Sequence, residues 1–176
     1  MAVPPLRAAR DSREPPPRDV LARRGLVNED FRDLLAALLE AHARFLVVGA
    51  HAMAVHGVPR ATGDLDVWIA SDGDNAGRVW SALVRFGAPV AALGFSEEDL
   101  TRPDQVLQIG LPPRRVDLLT TISGVDFEQA WPGRVVHEVS SLPVPFISRD
   151  DLVRNKRAAA RAKDLADLEA LGEGRS

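Results

Sequence analysis

Residues 60–70, RATGDLDVWIA, place the tightest constraint on how this chain can fold. Leu65, Val67, Ile69 and Ala70 read as a strand built for burial, yet Asp64 and Asp66 stand one residue apart inside it. Side chains at i and i+2 of a strand share a face. Both carboxylates therefore emerge together, while Leu65 and Val67 point the other way. Two like charges so close repel, and each loses hydration if it is covered. That face must lie at a solvated edge, pair with Arg60 and its neighbours, or carry a divalent cation. Trp68 falls on the same face and is expected to pack in the core.

A third acid sharpens the choice. In RRVDLLTT, Asp117 is surrounded by Val116, Leu118 and Leu119, an uncomfortable setting for a carboxylate without a partner or ion. If that strand neighbours the first, three carboxylates meet. Such a set can hold two metal ions that stabilise the attacking and departing oxygens of a displacement at phosphorus. Mg²⁺ suits it, preferring hard oxygen ligands and few protein carboxylates besides substrate phosphates. FLVVGAHA offers a phosphate seat: a buried strand, a turn at Gly49, and a helix beginning near Ala50 and His51. Free amide groups and the helix dipole attract anions there, and glycine lets the backbone come close. His51 is placed to face the site. His56 lies five residues on, off the same-face helical spacing, so a two-histidine metal site is not expected; His56 and Gly57 instead shape the helix end. Arg60 either binds phosphate or offsets the carboxylates.

The remainder is consistent with one mixed α/β (α+β) domain. Residues 1–27, rich in proline and arginine, read as a flexible leader that cannot bury a core, and 28–176 as a single folded unit. A helix capped by Asn28, a strand, a short helix, the acidic strand and a helix over about 74–86 precede a hairpin formed by VLQIG and RVDLLTTI. RVVHEV and VPFI are two further strand candidates. Ser148 and Asp151 match a capping box opening one last helix to about Leu171. No apolar run is long enough to span a membrane, and none follows the N-terminal charges as a secretory signal would. The absence of cysteine excludes thiolate chemistry and fits a cytoplasmic chain. A net charge of −3 disfavours non-specific nucleic-acid binding by charge alone.

In order and spacing these pieces resemble the nucleotidyltransferase fold of the DNA polymerase β superfamily: a glycine turn at a helix start, an Asp-x-Asp strand, and a third acid on a following strand. More narrowly, VVGAHAMAVHGVPRATGDLDVWI is similar to small bacterial nucleotidyltransferases related to the AbiEii toxin family. FISRDDLVRNKRAAARAKDLADLEAL is similar to their closing helix, with its lysine, Arg-x-Lys-Asp and further Asp. The resemblance implies a mixed sheet flanked by helices, Gly49 as the turn glycine, Asp64 and Asp66 as the metal-binding pair, and Asp117 as the third catalytic acid. It implies Mg²⁺, with two ions, and transfer of a nucleoside monophosphate from an NTP to a hydroxyl of RNA, protein or a small molecule. The toxin kinship adds tRNA or protein as acceptor and an antitoxin-like partner. Ala50 departs from the serine that many superfamily members carry, removing a hydroxyl donor to the triphosphate. That departure favours an alternative, a catalytically inactive nucleotide- or partner-binding relative; retention of three mutually repelling acids opposes it. A haloacid-dehalogenase reading fails because Trp68 stands where threonine belongs, and no Gly-x-Gly-x-x-Gly, Walker or Gly-x-Ser-x-Gly motif occurs.

Of 22 lysines and arginines, only Lys156 and Lys163 are lysines. On one continuous helix they share a face within about 20°. Asp167, four residues beyond Lys163, would pair with it. Lys156, with Ala160 at that spacing, would be left to reach the triphosphate as a compact charge.

Overall fold

The computed structural model describes residues 28–174; the leader expected over residues 1–27 lies outside them. The Asn28 side chain accepts the Phe31 N–H at 3.0 Å and starts α1 (Glu29–Glu40). Phe31, Leu34, Leu35 and Leu38 recur every three or four residues, and this apolar stripe is buried. β1 (Phe45–Val48) is buried along its whole length, as expected of a strand paired on both sides and covered on both faces. It turns directly into α2 (Gly49–Val55), then β2 (Asp64–Ile69). α3 (Gly73–Phe86) is capped by Asp72, which accepts the Asn75 N–H at 3.0 Å, and ends at Gly87 in the left-handed region at φ +84°. A 3₁₀ turn over 97–101 leads to β3 (Val106–Ile109) and β4 (Arg115–Leu119). A short helical segment over 127–133 follows, containing α4 (Phe127–Ala130). β5 (Val135–Val139) and β6 (Leu142–Phe146) form the second hairpin.

Among the described residues, six strands form one mixed sheet in the order β3-β4-β2-β1-β6-β5. β1 runs antiparallel to β2 and parallel to β6, while β2 runs parallel to β4. α1 packs on α3 over this sheet. Asn75, almost wholly buried, stitches α3 to the sheet. Its side chain accepts the Arg44 N–H at 2.6 Å and donates to the Arg44 and Ala70 carbonyls at 2.9 and 2.8 Å. No described helix is long and apolar enough to cross a membrane.

The C-terminal region corrects the expectation of one continuous helix. Ser148 caps α5 (Arg149–Ala159) by accepting the Asp151 N–H at 3.1 Å, as the capping box implied. The helix then stops at Ala160, which takes a left-handed conformation at φ 49°. Arg161 is extended and α6 (Ala162–Ala170) begins anew, its first turn capped by the Asp164 carboxylate on the Arg161 N–H at 3.2 Å. The physical reason is long-range. Eleven residues along a straight helix lie about 16 Å apart, yet Lys156 Nζ sits 2.5 Å from Asp167 Oδ2. Only a bend at 160–161 brings them together, and a buried ammonium left without its carboxylate would be costly.

Candidate functional site

The register of β2 on β4 sets Asp66 directly beside Asp117, and Asp64 beside Arg115. With the i, i+2 pairing inside β2, this puts three carboxylates on one patch of the sheet, facing a cleft of about 500 Å³. Val48, Gly49 and Ala50 form one wall, where β1 passes into α2; Lys156, Arg161, Lys163 and Asp164 from α5 and α6 form another. Arg60, Thr62, Thr121, Ser123 and Asn155 complete a largely polar rim.

Gly49 has a reason beyond turn geometry. Its φ is +64°, and a Cβ built there would lie 3.0 Å from Asp66 Cγ and overlap Asp66 Oδ2. The turn and the acid are therefore packed against each other, and only glycine fits. Val48, the residue before α2, has no side-chain acceptor to cap the helix's first amides.

The three acids have different surroundings. Arg115, on β4, donates from one Nη to Asp64 Oδ2 at 2.7 Å and to Asp117 Oδ2 at 3.1 Å. Its Nε lies 2.9 Å from Asp117 Oδ1, an ion contact not aligned as a hydrogen bond. Asp64 Oδ1 is buried and has no hydrogen-bond partner. Asp66 makes no ion pair among the described residues. Burial pushes its carboxyl up to about 6, aided by the charges of Asp117 and Asp64 and opposed by those of Lys163 and Arg115. Among the described residues no three His, Cys, Asp or Glu stand ready to hold a metal ion; the Arg115 guanidinium engages oxygens of two of the three acids. The donor set nonetheless suits a hard divalent cation: three carboxylates converge, Asp64 Oδ1 and Asp117 Oδ1 lack hydrogen bonds, and Asp66 is in no ion pair among the described residues.

The two lysines exchange the places expected of them. Lys156 is 3% exposed. Its ammonium lies 2.5 Å from Asp167 and 3.6 Å from Asp164. Asp167 also receives Arg60, with Nε 3.0 Å from Oδ1, and Arg161 grips Asp164 at 2.6 Å. Lys163 makes no ion pair among the described residues, lines the cleft, and is close enough to Asp66 to favour its charged form. Lys163 and Asp167 keep their i,i+4 spacing within α6, but Asp167 is engaged instead by Arg60 and by Lys156, which the break before α6 brings to it. Arg60 neutralises an acid, but that acid is Asp167 rather than Asp64 or Asp66. His51 does not face the cleft: it is 2% exposed and stands edge-on to Phe31 of α1, ring centroids 5.8 Å apart. α2 is covered on nearly all sides, so the side chain of its third residue, His51, points into protein. His56 closes that helix, its Nε2 2.8 Å from the Ile147 carbonyl. Trp68 is buried against Phe127. Arg115 escaped the sequence reading, although its position two residues before Asp117 already put it on the acids' face.

No family model matches the chain, and no curated protein matches it in sequence. Its shape matches a solved structure from Thermotoga maritima, a protein provisionally assigned as a nucleotidyltransferase, with a TM-score of 0.52 and 15% identity over 86% of this chain and 90% of that one. The chain has a nucleotidyltransferase-like fold, a mixed six-stranded sheet flanked by helices.

Proposed function

We propose that the cleft binds a nucleoside triphosphate with Mg²⁺ and transfers its nucleoside monophosphate to an acceptor hydroxyl. The convergence of Asp64, Asp66 and Asp117 beside the Gly49 turn carries this reading, and the nucleotidyltransferase-like fold supports it. In the reaction the acceptor oxygen bonds to the α-phosphorus as the bond to pyrophosphate breaks, and the hydroxyl proton passes to a base. The three carboxylates would hold the metal, as one ion or two. Bound Mg²⁺ supplies neutralisation of phosphate charge and polarisation of the reacting oxygens. Gly49 and Ala50 let backbone approach the phosphates. Lys163 and Arg161 contribute positive charge from the opposite wall, and the Lys156–Asp167–Arg60 network fixes α6 so that they face inward.

The narrower resemblance to AbiEii-related enzymes extends the proposal to a cytoplasmic toxin component with an antitoxin-like partner and tRNA or protein as acceptor. Incubating the protein with each labelled NTP, Mg²⁺ and cell extract tests it. Label is expected in the RNA, protein or small-molecule fraction and is lost in Asp66→Asn. A second reading, a nucleotide-binding relative without activity, is favoured by Ala50 and by the grip of Arg115 on two of the acids; binding without label transfer would select it.

A further inference from the structure

We propose that Arg115 is a displaceable internal counter-ion, which keeps the three-carboxylate patch closed to divalent cations until phosphate draws its guanidinium away. The proposal rests on the reading above.

The sheet places Arg115 for this role. It lies opposite Asp64 across the β2–β4 ladder and two residues before Asp117 on its own strand, so its side chain emerges among the acids. Its contacts engage Asp64 Oδ2 and both oxygens of Asp117. An oxygen turned to the guanidinium cannot also serve fully as a metal ligand, so the two cations compete for the same atoms. The grip is imperfect. Nε has no aligned acceptor, and Asp64 Oδ1 and Asp117 Oδ1 lack hydrogen bonds. Asp66 is left with no ion pair among the described residues. Among the described residues the only cation in ionic contact with this patch, Arg115, thus reaches two of its three acids, which leaves a divalent ion a favourable exchange. The Arg115 side chain, 28% exposed, lines the cleft, so release requires no opening of the core. A phosphate offers a guanidinium the same two-pronged acceptor geometry as a carboxylate. Metal and phosphate would therefore bind with positive linkage, each easing the entry of the other.

The test measures binding, not turnover. Mn²⁺ alone is titrated into the full chain and followed by loss of the free-ion paramagnetic signal. Arg115→Gln is expected to bind Mn²⁺ roughly tenfold more tightly than wild type, and to bind metal-free pyrophosphate in excess chelator several-fold more weakly. Arg115→Lys keeps the charge but loses the fork; it is expected to bind Mn²⁺ more tightly than wild type and less tightly than the Gln variant. That variant decides the matter if Arg115→Gln does not fold. Equal Mn²⁺ affinity in wild type and both variants would overturn the competition while leaving the metal-nucleotide reading standing. Absence of Mn²⁺ binding at millimolar concentration in all three would overturn both.

Discussion

Asp66→Asn is expected to make the metal-free protein more stable while destroying its proposed chemistry. The Asp66 carboxyl titrates near 6 in the folded chain, against an ordinary value of 3.8, first because it is buried and next because Asp117 lies beside it. An acid whose folded value is raised binds more protons folded than unfolded between those limits. Stability therefore falls as pH rises from about 4 to about 6 and stays reduced above that. A shift of roughly two units corresponds to about 3 kcal/mol. For a domain of this size that is on the order of 6–12 °C in melting temperature. Asparagine keeps the shape and never ionises, so it is relieved of this cost. Melting curves of both proteins in chelator, from pH 3.5 to 8, give the difference directly. It is expected near zero below pH 4 and maximal above pH 7, with the variant the more stable. An equal or lower melting temperature for the variant at pH 7.5 would refute the view that Asp66 is held charged against its environment.

Lys156→Ala removes a buried ammonium from Asp167 and Asp164 and is expected to cost about 3 kcal/mol, the low end for breaking a buried pair because Arg60 and Arg161 remain on those acids. Lys163→Ala, which removes a charge that favours ionised Asp66 but no ion pair among the described residues, should lower the melting temperature far less than Lys156→Ala and weaken NTP binding; thermal melts beside nucleotide titrations separate the two. Gly49→Ala forces a side chain into the left-handed region and into the Asp66 carboxylate, and is expected to cost more than about 1 kcal/mol and to abolish metal binding, read by calorimetry and Mn²⁺ titration.

Much of this arrangement is written locally. Asn28 with the spacing of Phe31, Leu34, Leu35 and Leu38 specifies α1, and alternation around Asp64 and Asp66 specifies both a strand and its charged face. What escapes is set by distant partners. Nothing in the alanine-rich run 158–160 signals a helix break; the bend follows from Lys156 meeting Asp167 in the folded chain. That one bend exchanges the surroundings of the two lysines. Alternation puts Arg115 on the face of Asp117, but its contact with Asp64, 51 residues away, follows only once β4 lies parallel to β2. His51 looks like a site residue because it follows Gly49, but a seven-residue helix buried nearly all round turns that position inward. Asn75, an ordinary polar residue in a helical pattern, becomes a junction only once the Arg44 and Ala70 backbones are beside it.

The central claim is that three aspartates and a divalent metal hold a nucleotide in this cleft. The most direct measurement is calorimetric titration of NTP analogues that cannot be cleaved at the α-phosphorus, one for each base, into wild type and Asp117→Asn, with Mg²⁺ and then with chelator. At least one analogue is expected to bind wild type saturably in Mg²⁺, and to lose about tenfold or more in affinity on chelation and again in the Asp117→Asn variant. Binding indifferent to both the metal and Asp117, or no binding of any analogue, would contradict the claim.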